Sequence, residues 1–154
     1  MERIRQLGVL PTIFGPYVYY HGDKLIPSFG EKRLEWMFAA RSFLDAGVMV
    51  SAHSDHPCAP YPPLMAIHGL VNRTTKAGRP IGQSQKISVL EAIRLYTTHA
   101  AYHSFDEDTL GSLEVGKLGD MVILGKDILT VPANEIIEIP IEMTVIGGKV
   151  VYTR

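Results

Sequence analysis

Asp55 is the residue of this sequence best placed to do chemistry. It follows the apolar run 48–53, and the segment after it, up to position 63, contains four prolines. A short apolar run is typical of a strand buried on both faces, and parallel α/β folds collect catalytic groups at the carboxyl ends of such strands. A carboxylate there can bind a metal ion or act as a general base. The alternative is a loop or cap residue whose side chain bonds to nearby backbone.

Three histidines extend this candidate site. His53 lies two positions before Asp55, so the period of a strand predicts that both side chains point to the same face. His56 follows Asp55 directly, and the three residues together could offer nitrogen and oxygen ligands to a metal. Because adjacent residues rarely converge on one ion, we favour ordinary hydrogen bonding for His56. His21 follows the first predicted strand and could reach the same edge of the sheet.

Two further histidines and the single cysteine are weaker candidates. His99 and His103 are four residues apart on a predicted helix and share a face, a spacing that also occurs in zinc sites. Two histidines without an intervening glutamate cannot close such a site, so we interpret them as structural residues near a helix end. Cys58 lies close to Asp55, but no base is paired with it by spacing, and we interpret it as an ordinary thiol.

The first third of the chain predicts a framework that positions these residues. Residues 9–14 and 48–53 are predicted strands, and residues 15–30 are predicted to form a loop. Ser28 and Glu31 have the spacing of a capping box, and apolar residues at helical intervals then predict a helix up to position 44. A strand, a helix and a second strand in this order form a βαβ unit, which implies parallel strands and a right-handed crossover.

The remainder of the chain changes character near position 111. A helix is predicted over 64–72, and a second capping box at 88–91 opens another. Later stretches alternate polar and apolar residues, and Gly147-Gly148 between two of them is typical of a hairpin. We therefore predict an α/β unit in residues 1–110 and antiparallel strands in residues 111–154.

Composition excludes several classes of protein. The 154 residues include 15 Lys plus Arg and 16 Asp plus Glu, which gives a net charge of -1. This balance argues against nucleic-acid binding by phosphate neutralisation and against a polybasic membrane anchor. No apolar run approaches the roughly 18 residues of a membrane span. A single cysteine excludes an internal disulfide, so we expect a cytoplasmic location. From the charge balance and the absence of a long apolar run we expect no membrane or nucleic-acid partner.

Several segments form a pattern when they are taken in chain order. Residues 48–57 read VMVSAHSDHP, and residues 111–120 read GSLEVGKLGD. The other segments are GEKR at 30–33, the stretch 88–97 that contains SVLEAI and YT, and GGKVVY at 147–152. Together they resemble the C-terminal third of the amidohydrolase superfamily, most of all the long amidohydrolase branch that includes N-substituted formamide deformylases. The first segment is similar to the last barrel strand with its Ser-Asp-x-Pro ending.

This resemblance implies a fold and an activity. Residues 1–110 would hold the last two strand–helix units of a (β/α)8 barrel, and residues 111–154 the C-terminal part of a small β-sandwich-like domain. The family hydrolyses C–N bonds in small amide-type substrates with a divalent metal, for which zinc fits the ligand types. Asp55 would bind that metal and act as the catalytic base. His21 and His53, and more weakly His56, would line the substrate pocket.

The sequence also departs from the family pattern. The His-x-His pair of the first barrel strand, the middle-strand lysine or carboxylate and two later histidines have no counterpart here, so Asp55 is the one expected ligand present. Two parallel strands cannot close a barrel and expose unpaired edges. We therefore expect the isolated chain to be an inactive fragment that lacks its N-terminal part or forms a homo-oligomer. The alternatives are a non-catalytic oligomerising interaction protein and a small enzyme with an inter-subunit metal site.

Overall fold

A computed structural model describes residues 1–154. Five short strands form two sheets: β1 (Thr12–Phe14), β2 (Ser51–His53), β3 (Met121–Leu124), β4 (Ile141–Ile146) and β5 (Lys149–Thr153). Seven α-helices are present: α1 (Glu2–Gln6), α2 (Tyr17–Phe29), α3 (Glu31–Leu34), α4 (Ala40–Asp45), α5 (Pro63–Asn72), α6 (Val89–Tyr96) and α7 (Thr98–Ser104). Two 3-10 helices cover Gln83–Gln85 and Ala133–Glu138.

The first two strands form a parallel pair. Ile13 of β1 is paired with Ala52 of β2, and Phe14 is paired with His53, so the two carboxyl ends lie side by side. Three helices, α2 to α4, connect the strands, as a βαβ-type crossover requires. The predicted parallel pairing and the α/β class are therefore confirmed. Each strand is shorter than its apolar run, and the ladder is confined to three residues of each.

The prediction of a loop over residues 15–30 is wrong, because this segment contains α2. Val18, Leu25 and Ile26 face Leu34 and Ile81 in a small apolar cluster, which stabilises the helix by packing. The position between them, Gly22, is buried, and a Cβ there would lie 2.7 Å from Cγ2 of Thr75. A glycine therefore occupies the place where the helical period would show an apolar residue, which concealed the pattern.

The single helix predicted up to position 44 is also wrong. Two short helices, α3 and α4, are separated by a turn in which Phe38 has a left-handed φ of 49°. The predicted capping box at Ser28 and Glu31 does not form, because Ser28 lies inside α2 and Gly30 is the residue that precedes α3. Ser28 and Glu31 have the spacing of a capping box, but Ser28 is part of the preceding helix and so cannot cap the next one.

The later helices agree more closely with prediction. α5 coincides with the predicted helix 64–72 to within one residue. Ser88 and Glu91 form the predicted capping box: the Ser88 amide donates to the Glu91 carboxylate over 2.8 Å, and the Glu91 amide donates to Ser88 Oγ over 3.3 Å. Such reciprocal bonds satisfy backbone groups that the first turn of a helix leaves unpaired.

The main apolar core joins both parts of the chain. Ile13, Val50 and Leu95 are buried together with Ile128 and Ile136, which come from beyond position 111. The remaining buried members are Ala40, Ala52, Ile67, Leu70, Ile87, Ala92 and Ile139. The helix α5 packs on the 3-10 helix Ala133–Glu138. The boundary between 1–110 and 111–154 stays a prediction, and the two parts share this core.

The second sheet is antiparallel, in the order β3, β4, β5. The predicted hairpin is confirmed: Gly147 and Gly148 both have positive φ, 55° and 74°, as its tight turn requires. Apolar side chains on this sheet, including Val122, Val151 and Tyr152, are exposed. None of the helices has the length and apolar character needed to cross a membrane.

Candidate functional site

The candidate site lies at the carboxyl ends of β1 and β2. The ring of His53 stacks on Phe14, with 5.6 Å between ring centroids and 26° between planes. The His53 carbonyl oxygen accepts hydrogen bonds from the Gly15 amide over 3.0 Å and from the Tyr96 hydroxyl over 3.3 Å. Burial raises the pKa of Tyr96, so this phenol stays protonated and remains a donor.

His21 reaches the same place from the first half of α2. Its Nε2 donates to the carbonyl oxygen of Cys58 over 3.0 Å, which ties α2 to the loop after β2. Its ring lies 6.0 Å from the ring of Phe14 and 5.0 Å from that of Tyr17, between centroids. The structure therefore brings His21 and His53 together around Phe14. Because Nε2 carries the donated proton, Nδ1 of His21 is the ring nitrogen left for another partner.

Three aromatic residues complete this arrangement, and the sequence analysis did not include them. Phe38 lies 6.0 Å from Phe14 and 5.0 Å from Tyr17, both with the edge of one ring towards the face of the other. We call Phe14, Tyr17, His21, Phe38 and His53 the aromatic cluster. The tyrosine-rich segment 17–20 was the available signal, but its assignment to a loop hid the fact that Tyr17 and His21 share a helix face.

Asp55 lies just beyond the end of β2. It is exposed, its φ is 51°, and its carbonyl oxygen accepts a hydrogen bond from the Cys58 amide over 2.7 Å, which closes a turn. The Asp55 carboxylate has no hydrogen-bond partner within the chain and is free to bind a ligand. The strand ends at His53, so the alternation that predicted a common face for His53 and Asp55 does not extend to Asp55.

His56 makes no ring contact with the aromatic cluster. Its ring meets that of exposed Tyr61, with centroids 5.7 Å apart and planes nearly perpendicular. The peptide bond between His56 and Pro57 is cis. Of the predicted substrate-binding histidines, His21 and His53 therefore lie together, whereas His56 contacts a different aromatic side chain.

The site residues do not form a metal centre by themselves. No three side chains among His, Cys, Asp and Glu lie close enough together to hold a metal ion. The ring of His53 is stacked on Phe14, and His21 already donates to a carbonyl oxygen. A protein metal site needs three or four converging ligands, and Asp55 can supply one of them.

His99 and His103 lie near the opposite end of β2. The Nδ1 of His99 donates to the Val50 carbonyl oxygen over 2.8 Å, and Ser51 Oγ donates to Nδ1 of His103 over 2.9 Å. The Nε2 of His103 donates to the Met49 carbonyl oxygen over 3.4 Å. The hydrogen bonds of His99 and His103 thus attach α7 to β2, as expected for structural residues.

Comparisons with known proteins identify relatives of this chain. A model of the amidohydrolase family matches residues 1–152. The N-substituted formamide deformylase of Arthrobacter pascens is 36% identical over 118 residues, which cover 77% of this chain and 22% of the deformylase. The resemblance inferred from the sequence motifs is thereby confirmed.

Solved structures show the same fold in longer proteins. An amidohydrolase from Thermotoga maritima MSB8 matches with a TM-score of 0.69 at 18% identity, over 99% of this chain and 34% of its own. A metal-dependent hydrolase from Pyrococcus horikoshii OT3 matches with a TM-score of 0.73 at 24% identity, over 86% of this chain and 27% of its own. The 154 residues thus span about a third or less of the proteins they match.

Proposed function

Because the chain belongs to the amidohydrolase family, we propose that it contributes the last two strand–helix units of a (β/α)8 barrel to a metal-dependent hydrolase. That enzyme cleaves C–N bonds in small amide-type molecules. One observation carries the proposal: Asp55 follows the carboxyl end of a parallel strand and offers a carboxylate without a partner. Active sites of barrel enzymes are built at that end of the strands.

In this proposal Asp55 is the general base. A carboxylate at this position accepts a proton from the attacking water and passes it to the departing amine, which needs the proton to leave. The complete site holds a divalent metal, and zinc fits ligands of mixed nitrogen and oxygen type. Asp55 supplies one ligand, and the others come from outside these 154 residues, since no group of this chain can hold the ion alone.

The aromatic cluster is proposed as one wall of the substrate pocket. The half-buried rings of Tyr17 and Phe38 offer an apolar surface to the substituent of an amide, with buried Phe14 packed against both of them. The free Nδ1 of His21 offers a polar contact. His53 is stacked against that surface. His56 belongs to the rim of the pocket with Tyr61. Pockets of this kind combine apolar walls with a few placed polar groups.

The two parts of the chain have separate roles in this proposal. Residues 1–110 provide the barrel portion and Asp55. Residues 111–154 form the C-terminal part of a small β-sandwich-like domain, and the support for this is the antiparallel sheet β3–β5. The complete enzyme includes an N-terminal part that carries the remaining strands and ligands.

The first test examines the gene upstream of the Met1 codon. A reading frame that continues upstream and encodes a His-x-His strand would allow expression of the longer protein with zinc. We expect that protein to release amine from an N-substituted formamide and Asp55→Asn to abolish the release. Asp108→Asn is the matched control, because Asp108 is exposed and its carboxylate has no hydrogen bond. An in-frame stop just upstream, or full activity of Asp55→Asn, would contradict the proposal.

A second candidate function is assembly without catalysis. It is favoured by the exposed apolar side chains of the sheet β3–β5, such as Val122, Val151 and Tyr152. Apolar patches of this kind are often covered by another protein surface. Light scattering would report a defined homo-oligomer if this reading holds and a monomer if it does not. Stoichiometric zinc binding by that oligomer, lost in Asp55→Ala, would instead indicate an inter-subunit metal site.

A further inference from the structure

Arg73 is the largest fully buried side chain of the protein. It follows α5, its backbone is left-handed with φ of 51°, and the residue is 1% exposed. Its Nε donates to the carbonyl oxygens of Ile81 and Gly82 over 3.2 and 3.1 Å. Its Nη1 donates to the carbonyl oxygens of Met37 and Phe38 over 3.0 and 3.4 Å. One guanidinium thus bridges two turns that are distant in sequence.

This arginine has no carboxylate at ion-pair distance. Nη2 has no hydrogen-bond partner in the chain, and the negative charge nearby is that of Glu35. Burial lowers the pKa of Arg73 to about 10, partly opposed by the charge of Glu35. A buried charge without an ion pair is costly, so backbone carbonyl groups must take over its solvation. The planar guanidinium suits this task because it offers several donors in fixed directions.

Two of the carbonyl groups that Arg73 binds belong to the turn between α3 and α4. The chain leaves α3 at Leu34, and Phe38 takes a left-handed φ of 49° before α4 begins. The carbonyl groups of such a turn have no helical partners and must find others. The Phe38 carbonyl oxygen accepts from the Ala40 amide over 2.8 Å as well as from Arg73, whereas Nη1 of Arg73 is the donor to the Met37 carbonyl oxygen. The same turn directs the ring of Phe38 onto Phe14 and Tyr17.

We propose that Arg73 is a positioning residue for the aromatic cluster. It holds the turn between α3 and α4, and through that turn it fixes the ring of Phe38 against Phe14 and Tyr17, next to His21 and His53. The inference rests on the proposed function only where the cluster is assigned to a substrate pocket. The ordering of the cluster itself is a property of this chain and is measurable without metal or substrate.

The experiment compares imidazole signals of His21 and His53 by NMR in variants of this chain. Phe38→Leu removes the aromatic ring that packs on Phe14 and Tyr17, the rings that contact His21 and His53. The shifts of the two imidazole signals in this variant define the signature of a disordered cluster. Arg73→Lys keeps the positive charge but loses the hydrogen bonds that bridge the two turns. We expect it to shift both imidazole signals in the same direction as Phe38→Leu does, by at least half of the Phe38→Leu shift. Adding Arg73→Lys to Phe38→Leu should produce no further change.

Arg154→Lys is the matched control, because it makes the same Arg-to-Lys change at an exposed residue that binds Glu142 of β4, a strand that contributes no residue to the aromatic cluster. We expect the signals of His21 and His53 to be unchanged in this variant. Far-ultraviolet circular dichroism shows whether each variant is folded, which separates a local rearrangement from general loss of structure.

Gly82→Ala keeps the proposal testable if Arg73→Lys does not fold. A Cβ at Gly82 would collide with Nη2 of Arg73, so this variant displaces the guanidinium without removing it. The Cβ would also lie 2.9 Å from the Glu35 carbonyl oxygen, and the left-handed φ of 61° strains an alanine, so circular dichroism must show that this variant is folded. We expect it to reproduce the Phe38→Leu signature. Folded Arg73→Lys or Gly82→Ala protein with unchanged His21 and His53 signals would overturn the positioning role. Loss of metal-dependent activity in a longer protein bears on Asp55 and would leave this result intact.

Discussion

The hydroxyl of Tyr96 donates a hydrogen bond to the carbonyl oxygen of His53 over 3.3 Å. This bond joins the last residue of α6 to the last residue of β2, at the point where the chain turns towards Asp55. Tyr96 also lies so close to Gly15 that a Cβ there would be 2.6 Å from the phenol oxygen. The absence of a side chain at Gly15 therefore makes room for the hydroxyl that holds the end of the neighbouring strand.

Replacement of Tyr96 by Phe should weaken this junction. Tyr96→Phe removes one donor from a carbonyl that still accepts from Gly15, so we expect a loss of about 1 kcal/mol in the free energy of unfolding. Urea denaturation measures it. Tyr102→Phe is the matched control, because Tyr102 is 40% exposed and its hydroxyl makes no hydrogen bond. Equal stability of the two variants would contradict the structural role of the Tyr96 bond.

The two predicted capping boxes allow a paired test. Ser88→Ala removes a cap that the structure contains, and we expect a loss of about 1 kcal/mol in unfolding free energy. Ser28→Ala removes a serine with the same spacing to a glutamate but no cap bond, and we expect little change. Thermal or urea unfolding of both variants compares them directly. A larger effect at Ser28 than at Ser88 would show that the helix boundaries near position 30 are wrong.

The shared core predicts that residues beyond position 111 stabilise the strands β1 and β2. Ile136 is 0% exposed and lies in the same core as Ile13 and Val50. Ile136→Ala should lower the free energy of unfolding by about 2–5 kcal/mol, because it leaves a cavity. Hydrogen exchange should report faster opening of β1 and β2 in this variant. Ile146→Ala is the control at a 56% exposed position, and an effect there equal to that of Ile136→Ala would refute the shared core.

His68 should make stability depend on pH just below neutrality. Burial lowers the pKa of His68 from 6.5, partly opposed by the Ala133 carbonyl and the charge of Glu138. Its ring also faces Tyr19 at 4.9 Å, and Nδ1 accepts from Asn72 over 3.2 Å. As pH falls through 6.5 the unfolded chain binds the proton first, so the folded state loses stability until the folded pKa is reached.

The measurement is the free energy of unfolding between pH 7.5 and 5. We expect His68→Gln to flatten the decline below pH 6.5, and His56→Gln, which alters an exposed histidine, to leave the decline as it is. Carboxylates such as Glu91 contribute at lower pH. Burial opposes ionisation of Glu91, but bonds from Ser88 and Arg41 outweigh it and lower its pKa. An undiminished decline in His68→Gln would assign the pH dependence to another group.

Sequence patterns predicted the fold where a few neighbouring residues determine the local structure. The Ser88–Glu91 box and the Gly147-Gly148 turn both depend on contacts within a short stretch. Sequence patterns failed to predict helix positions and helix ends that are determined by contacts between residues distant in the sequence. Gly22 lies inside a helix where Thr75 and Ile81 pack against it, and Arg73 holds the turn at Phe38 that separates α3 from α4 through the Met37 carbonyl oxygen.

The candidate site was predictable in its residue types but not in its arrangement. Placing Asp55 after a buried strand required only the apolar run before it. The association of His21 with His53 needed the parallel pairing of β1 and β2 together with a helix directly after β1. Contacts of Phe38 with Phe14 and Tyr17 join three separate elements, and no periodicity in one segment encodes them.

The pairing of β1 with β2 has a consequence for how the protein folds. Thr12 pairs with Ser51, so roughly forty residues must be organised before a three-residue ladder can close. Contacts of such sequence separation cost chain entropy that local helices do not. The two strand ends that carry Phe14 and His53 should therefore meet late, after α2 and α5 have packed. Destabilising the helices should then slow folding more than altering the ladder, and the aromatic cluster should be among the last features to gain protection in a refolding experiment.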